Sequence, residues 1–193
     1  MKKILILDNY DSFTYNLVHL VREIGDYQLE VHRNDKIGLE DAGAFDGIIL
    51  SPGPGLPSES GILCELIREY ASIKPIFGVC LGEQAIGEVF GARLVNLPNV
   101  FHGVAMETEI LDENDPLFQG VPARFKTGRY HSWAVSDENF PSALKITARD
   151  SQGTIMALRH REYNVCGVQF HPESVLTDHG RKIMENWLKQ EYV

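Results

Sequence analysis

Three short apolar runs constrain the fold of this chain more than any other feature of its sequence. They are Lys3–Leu7, Gly47–Leu50 and Pro75–Val79, and polar or glycine-rich residues end each of them. After the first run, the apolar residues of Ser12–Ile24 recur at the spacing of one helical face. Buried strands that alternate with helices in this way form βαβ units, so the sequence predicts a parallel sheet.

The remaining elements of the first half fit the same scheme. Further predicted elements are a strand over Leu29–His32 and helices over Ser58–Ala71 and Leu81–Phe90.

The second half of the chain changes to short strand-like segments separated by turn residues. These segments are Met106–Leu111, Phe125–Thr127, Trp133–Ser136, Leu144–Ala148, Ile155–Arg159 and Val165–Phe170. We expect them to extend the sheet and to add a small antiparallel one. A last helix is predicted from His179 to Gln190, with Thr177 or Asp178 as its N-cap. The predicted fold is therefore a single α/β domain over residues 1–193, with a mostly parallel central sheet flanked by helices.

Composition excludes several classes of function. The formal net charge of −9 argues against nucleic acid as a partner, because duplex binding depends on clustered Lys and Arg. No apolar stretch approaches the roughly 20 residues that span a bilayer. Asp8 interrupts the N-terminal apolar run before it reaches the length of a signal peptide. We expect a cytoplasmic protein with no nucleic-acid and no membrane partner.

The cysteines are Cys64, Cys80 and Cys166, which are too few and too far apart for a disulfide framework or a CxxC zinc site. We expect no metal and no cofactor in this chain. Cys64 falls in a predicted helix and Cys166 in a predicted strand, and both are expected in the core.

Cys80 has a different setting, between Gly78 and Gly82 at the end of a buried run. The pattern G-x-nucleophile-x-G is typical of a nucleophile elbow, a sharp strand-to-helix turn that only small flanking residues allow. A thiol there lies at a helix N-terminus, where the dipole favours the thiolate. The N–H of Leu81 would face the oxyanion of an attacked carbonyl. The same pattern also fits a buried structural cysteine with loop glycines.

A base for this thiol is predicted at His171. Residues in a strand alternate between its two faces, so His171 and Glu173 point the same way, as an imidazole and the carboxylate that orients it. Pro172 indicates a strand end, where active-site groups often lie. Together with the elbow, the pair predicts a Cys80–His171–Glu173 triad.

A stiff loop, SPGPGLP over residues 51–57, follows the second buried run. It therefore lies at the carboxyl end of the sheet, where open α/β folds bind ligands. Its glycines allow a close approach of the backbone, and the N–H of Gly55 is the candidate second oxyanion donor. The alternative is a rigid connecting turn. The loop has no Walker pattern, so it is not a phosphate loop.

The segments GVCLGEQ, SPGPG and GVQFHPES together resemble the class I (triad-type) glutamine amidotransferases over nearly the whole chain. LDNYDSFTYNL, His102-Gly103 and GRYHS are similar to the glutamine-hydrolysing subunits of anthranilate synthase and aminodeoxychorismate synthase. The resemblance implies that Cys80 attacks the side-chain amide of L-glutamine, that His171 protonates the departing ammonia and that Glu173 orients His171. It also implies a separate chorismate-binding synthase subunit, component I, as the partner that receives the ammonia.

The resemblance further implies a glutamine-binding pocket. Gln84 would contact the bound glutamine. The α-amino and α-carboxylate groups of this substrate would be held by the loop residues Gly53, Pro54 and Gly55 and by the backbone of Ser132 and Trp133.

Two residues depart from the family pattern, which usually has His at the position of Glu83 and commonly Leu at that of Trp133. We predict that Glu83 is tolerated, because a carboxylate in a first helical turn is stabilised by the dipole. Its effect on the thiolate would be small if it faces solvent or the partner.

Two other classes of protein are alternatives to a glutamine amidotransferase, and the sequence disfavours both. A catalytically silent binding subunit would lack the nucleophile, the base or the oxyanion loop, and none is lost. An α/β-hydrolase would normally place its acid at a distance before the histidine, whereas here the acid follows it by two residues. The anthranilate partner is preferred over the aminodeoxychorismate partner by similarity of SPGPGLPSESG, although one subunit can serve both.

Overall fold

The computed structural model describes residues 1–190 and shows a large mixed sheet with helices on both faces. The strands are β1 (Lys3–Asp8), β2 (Gln28–Arg33), β3 (Gly47–Leu50), β4 (Ile76–Val79), β5 (Leu94–Asn96), β6 (Val104–Ile110), β7 (Arg124–Arg129), β8 (Trp133–Val135), β9 (Leu144–Asp150), β10 (Ile155–His160) and β11 (Val165–Val168). The α-helices are α1 (Thr14–Ile24), α2 (Leu39–Ala42), α3 (Leu63–Tyr70), α4 (Leu81–Val89) and α5 (Gly180–Lys189), and 3-10 turns lie at Pro57–Glu59 and Pro116–Phe118.

The main sheet has the strand order β2-β1-β3-β4-β11-β10-β9-β6-β7. Its first five strands are parallel to one another, and the pairs from β11 to β7 are antiparallel. A separate antiparallel pair joins β5 and β8. The predicted α/β fold, with a mostly parallel central sheet extended by the strands of the second half and a small additional antiparallel sheet, is confirmed.

The core lies on both faces of the parallel half because helices cover each face. In β1, Ile4 and Ile6 belong to one cluster of buried residues, and Leu5 and Leu7 belong to the other. Helices α1 and α5 cover the first face, and α3 and α4 cover the second. This double burial explains why β1, β3 and β4 appear in the sequence as continuous apolar runs rather than as alternating ones.

Several boundaries differ from the sequence predictions. The helix predicted from Ser58 is divided into a 3-10 turn and α3, because Gly61 has φ +54° and a Cβ there would lie 2.4 Å from the carbonyl oxygen of Asn34. Helix α5 begins after His179, which has left-handed backbone angles and makes no side-chain cap, so neither Thr177 nor Asp178 caps it. The short elements α2 and β5 were not predicted.

The parallel strands all end at the same edge of the sheet. The residues that follow β1, β3, β4 and β11 at this edge are Asn9, Ser51, Cys80 and Gln169. All of them are buried. Among residues 1–190, no helix is long and apolar enough to cross a membrane.

Candidate active site

Cys80 occupies a strained turn between β4 and α4. Its φ of 53° and ψ of −102° lie outside the regions that residues with a Cβ ordinarily adopt. The turn is held by a hydrogen bond from the Cys80 N–H to the Val168 carbonyl (2.8 Å), and the Cys80 carbonyl accepts from Gln84 N–H (3.0 Å). The thiol is thereby fixed at the N-terminus of α4 and is only 6% exposed.

The two glycines of the elbow are required by packing. A Cβ at Gly78 would lie 2.4 Å from the carbonyl carbon of Gly82 and 2.6 Å from the nitrogen of Glu83. A Cβ at Gly82 would lie 2.6 Å from the carbonyl oxygen of Leu50. Helix α4 therefore begins in direct contact with the ends of two strands, and this contact is the physical reason for the predicted G-x-C-x-G spacing.

His171 and Glu173 lie together at the same sheet edge. His171 Nδ1 is 2.7 Å from Glu173 Oε1, and both side chains are almost completely buried. The pairing was predicted, but the reason given for it was wrong. Strand β11 ends at Val168, so the two side chains meet through the turn that follows the strand and not through strand alternation.

This turn is fixed by hydrogen bonds to β7. The Thr177 hydroxyl donates to the His171 carbonyl (2.6 Å) and accepts from the Gly128 N–H (2.9 Å). The His171 N–H donates to the Gly128 carbonyl (3.2 Å). The imidazole is thus attached to a rigid strand although its own segment is irregular.

Aromatic rings surround the imidazole. The Tyr130 and Phe13 rings meet His171 edge-on, with centroids 4.8 and 5.8 Å away. Burial lowers the pKa of His171, but the nearby Cys80 and Glu173 side chains outweigh burial and raise this pKa to about 10. Nε2 has no well-aligned hydrogen bond among the described residues, and it is the ring nitrogen left for Cys80 and for a ligand.

The glycine-rich loop is packed against the elbow. A Cβ at Gly53 would lie 2.5 Å from the carbonyl oxygen of Asn9 and 2.9 Å from the Leu81 side chain. Asn9 in turn bonds Ser51 twice, through its N–H to the Ser51 hydroxyl and through its amide to the Ser51 carbonyl (both 2.8 Å). Gly55 has φ +75°, and it and Pro54 are exposed.

The second predicted pocket segment reaches α4 through Gln84. Gln84 Nε2 donates to the Trp133 carbonyl (2.8 Å), and His131 Nδ1 lies 2.8 Å from the same oxygen. Burial is the main cause that lowers the pKa of His131 to about 4, so its imidazole is neutral near pH 7. The Ser132 carbonyl accepts from the Leu97 N–H (2.7 Å). Ser132 and Trp133 are themselves partly exposed at the site.

Glu83 does not face solvent or a partner, contrary to the expectation from the sequence. Its side chain is completely buried, and neither carboxyl oxygen has a hydrogen-bond partner among the described residues. Its Cβ and Cγ lie against Gly167 of β11, where a Cβ would be 2.8 and 2.9 Å from them. Burial raises the pKa of Glu83 well above its usual range, which favours the neutral carboxyl.

The other two cysteines lie away from this edge. Cys166 is completely buried in β11, where burial raises its pKa to about 12. Cys64 is half-buried on α3, and burial raises its pKa as well. Within residues 1–190, no group of three or more His, Cys, Asp or Glu side chains is arranged to hold a metal ion.

Several residues of the site were missed in the sequence. Phe13 and Tyr130 form the wall around His171, and Gln169 lies between Gln84 and Cys80. Asp11, whose pKa is raised mainly by burial, interacts electrostatically with His171 and Glu173. A usable signal existed only for Gln169, which directly follows a buried strand, as Cys80 does.

Comparison with known proteins gives a consistent result. A model of the family described as "Glutamine amidotransferase class-I" matches residues 5–190. The chain is 45% identical to anthranilate synthase component 2 of Azospirillum brasilense, over 96% of this chain and 94% of that protein. It is 44% identical to anthranilate synthase component 2 of Mycobacterium tuberculosis, over 96% of this chain and 81% of that protein.

A longer relative and a solved structure extend this comparison. The chain is 42% identical, over 97% of its length, to the bifunctional protein TrpGD of Thermotoga maritima, and it spans only 32% of that protein. The crystal structure of a putative GMP synthase subunit from Thermoplasma acidophilum superposes with a TM-score of 0.87 at 26% identity, covering 97% of this chain and 92% of the other.

Proposed function

Because this chain belongs to the class-I glutamine amidotransferase family, we propose that it hydrolyses L-glutamine to glutamate and ammonia through a thioester on Cys80. The observation that carries this proposal is the strained Cys80 turn beside the buried His171–Glu173 pair. A thiol at a helix N-terminus, an imidazole with a free Nε2 and a carboxylate on Nδ1 are the parts of a nucleophilic triad.

The first half of the reaction forms the thioester. The Cys80 thiolate attacks the side-chain amide carbon of glutamine, and the carbonyl oxygen becomes an oxyanion. We assign the N–H groups of Leu81 and Gly55 as its donors. His171, protonated through the pair it forms with Cys80, donates from Nε2 to the amide nitrogen, the C–N bond breaks, and ammonia leaves. Glu173 keeps Nδ1 protonated and stabilises the imidazolium.

The second half regenerates the enzyme. Water loses a proton to His171 Nε2 and attacks the thioester carbon, and the C–S bond breaks to give glutamate and the Cys80 thiolate. His171 is thereby returned to its protonated form, ready for the next cycle, and no group outside this chain is consumed besides glutamine and water.

The glutamine pocket is assigned to two segments that both meet the first turns of α4. In the first segment, Gly53 lies against the Leu81 side chain and is followed by Pro54 and Gly55. In the second, the Trp133 carbonyl accepts a hydrogen bond from Gln84, and Ser132 precedes it. Backbone groups of these segments, with Gln84, would hold the α-amino and α-carboxylate groups of the substrate. We propose that these groups bind the amino-acid end of glutamine, so that its side-chain amide reaches Cys80.

The ammonia is proposed to pass to a chorismate-binding synthase subunit, and specifically to an anthranilate synthase component I in tryptophan biosynthesis. The names and identities of the component 2 relatives support this assignment. A glutaminase whose product is used by another chain is expected to be slow by itself and faster in the complex, because the exposed loop around Gly55 can be set by a docked surface.

The test uses this protein in complex with the synthase that co-purifies with it from lysate. Anthranilate formation from glutamine by the complex, and glutamate release that rises when synthase and chorismate are added, are the expected results. Cys80→Ser is the matched control: its complex should make anthranilate from ammonium salts but not from glutamine. If the complex formed aminodeoxychorismate and no anthranilate, the partner would be aminodeoxychorismate synthase instead of anthranilate synthase. Full glutaminase activity from the isolated chain would contradict the proposed activation by the partner.

A further inference from the structure

A pair of glutamine side chains connects the predicted substrate pocket to the nucleophile from inside the protein. Gln169 is completely buried, and its backbone N–H is fixed to the Met156 carbonyl (2.9 Å). Its side-chain Nε2 lies 3.5 Å from Cys80 Sγ, and its Oε1 accepts from Gln84 Nε2 at 3.0 Å.

The direction of these hydrogen bonds follows from the backbone. The Trp133 carbonyl can only accept, so the Gln84 group that lies 2.8 Å from it must be the NH₂ group. The same NH₂ group faces the Gln169 side chain, which must therefore present its oxygen to Gln84 and its own NH₂ group to the sulfur. His131 Nδ1 at 2.8 Å from the Trp133 carbonyl strengthens this anchor, because a neutral imidazole donates there.

We propose that Gln169 is a further catalytic residue, which donates a hydrogen bond to the Cys80 sulfur and stabilises its thiolate form. A buried thiolate needs donors in place of water, since burial alone favours the neutral thiol. An N–H bond to an ionised acceptor is stronger than one to a neutral acceptor, so it favours the thiolate over the thiol and over the thioester. The inference rests on the proposed reaction at Cys80 and adds a group that touches the reacting sulfur.

The same geometry gives Gln84 a second role. Both hydrogens of its amide are used inside the protein, one on Trp133 and one on Gln169, which leaves its Oε1 for a ligand. Gln84 is therefore a positioning residue for Gln169. Glutamine bound against Trp133 would affect the Cys80 sulfur through the Gln84–Gln169 and Gln169–Cys80 hydrogen bonds.

The experiment measures alkylation of Cys80 by iodoacetamide in the absence of glutamine, with the Cys80 peptide quantified by mass spectrometry. Gln169→Met keeps the side-chain length and removes the donor. On the acid limb of the pH–rate profile we expect roughly tenfold slower alkylation, as for the loss of one charge-assisted hydrogen bond. The acid limb of the pH–rate profile should move to higher pH by about one unit. Gln152→Met, at an exposed glutamine, is the matched control and should react like the wild type.

The variant Gln84→Met distinguishes two possible roles of Gln169, as a hydrogen-bond donor to the Cys80 sulfur or as a packing support for Gln84. It leaves the Gln169 amide in place but removes its anchor, so we expect a smaller loss of alkylation rate than for Gln169→Met. If Gln169 only supports Gln84, both variants will lose glutamine turnover while alkylation stays at the wild-type rate, and the inference is overturned.

Folding and the proposed function are controlled separately. If circular dichroism shows that Gln169→Met is not natively folded, Gln169→Asn is used in its place, because it keeps an amide but withdraws it from the sulfur. Slower alkylation would again support the inference, and alkylation at the wild-type rate would overturn it. Because alkylation needs no glutamine, a wild-type complex that releases no glutamate would refute the glutaminase proposal and leave the alkylation comparison valid.

Discussion

Glu83 on α4 packs directly against Gly167 on β11, so closely that a Cβ on residue 167 would lie 2.8 Å from the Glu83 Cβ. The carboxyl beyond this contact is completely buried and has no hydrogen-bond partner among the described residues. Burial without a partner raises its pKa well above its usual range and so favours the protonated form in the folded chain. A neutral carboxyl does not repel the thiolate, which removes the electrostatic conflict that the sequence suggested between Glu83 and Cys80.

The pH dependence of stability follows from this burial. Between the pKa of Glu83 in the unfolded chain, near 4.5, and its raised pKa in the folded chain, the unfolded state binds fewer protons. Stability contributed by this group is therefore present at low pH and is lost as pH rises through this window. Glu83→Met should stabilise the protein at pH 8 by roughly 1–3 kcal/mol, the penalty of an unsatisfied buried polar group, and by less at pH 5.

Thermal melts at pH 5 and pH 8 measure this difference, with about 2–4 °C expected per kcal/mol for a chain of this size. Glu88→Met, on the exposed face of the same helix, should change neither value appreciably. An equal gain for Glu83→Met at both pH values would show that the carboxyl does not remain protonated on folding.

Cys80 is predicted to be the one thiol required for activity. Cys80→Ser should lower glutaminase kcat by several orders of magnitude, up to about 10⁶. Cys64→Ser and Cys166→Ala should keep kcat within several-fold, because burial raises the pKa of both thiols and neither lies at the elbow. A glutamine-like chloroketone should label Cys80, as mapped by mass spectrometry. Labelling mainly at Cys64 or Cys166 would contradict the assignment.

The glycine at the start of the elbow is predicted to be intolerant of substitution. Gly78→Ala introduces a Cβ 2.4 Å from backbone of α4, where no flexible side chain can move aside. We expect a loss of at least about 1–3 kcal/mol in unfolding free energy, together with a loss of glutaminase activity. In Gly38→Ala the nearest atom is the end of the Asp41 side chain at 3.3 Å, and the loss should be under about 1 kcal/mol. Equal losses in chemical denaturation would argue against a packing constraint at the elbow.

The elbow and the parallel sheet could be predicted because their signals are local. Buried strands appear as continuous apolar runs, and the strained turn at Cys80 requires small residues at fixed spacing. The orientation of Glu83 could not be predicted, because α4 is buried over every residue from Leu81 to Gly87 and has no exposed face there to identify. The position of Gln169 after a buried strand indicates that it lies at the site, but its role could not be assigned because its partner Gln84 is 85 residues away in sequence.

The pairing of His171 with Glu173 shows a further limit of sequence reasoning. The spacing of two residues suggested strand alternation, whereas the strand ends before either residue and the turn is held by Thr177 and Gly128. The Thr177 hydroxyl reaches the His171 carbonyl six residues away, but its bond from the Gly128 N–H joins segments 49 residues apart in sequence. No local pattern around His171 carries that information.

The alkaline limb of glutaminase activity is predicted to report the pair of His171 and Glu173. His171 must be protonated to donate to the leaving nitrogen, and its pKa of about 10 keeps it protonated at neutral pH. Activity should therefore fall only as pH approaches 10. Glu173→Gln removes a carboxylate that raises this pKa, so the alkaline limb of kcat/KM should move to lower pH by about one unit or more.

Glutamate release by the synthase complex between pH 6 and pH 10.5 provides the measurement, and samples returned to pH 7.5 should regain full activity. Glu113→Gln, at an exposed glutamate, should leave the limb where it is. An unchanged limb in Glu173→Gln, with kcat lowered at every pH, would mean that Glu173 orients the ring without controlling its protonation.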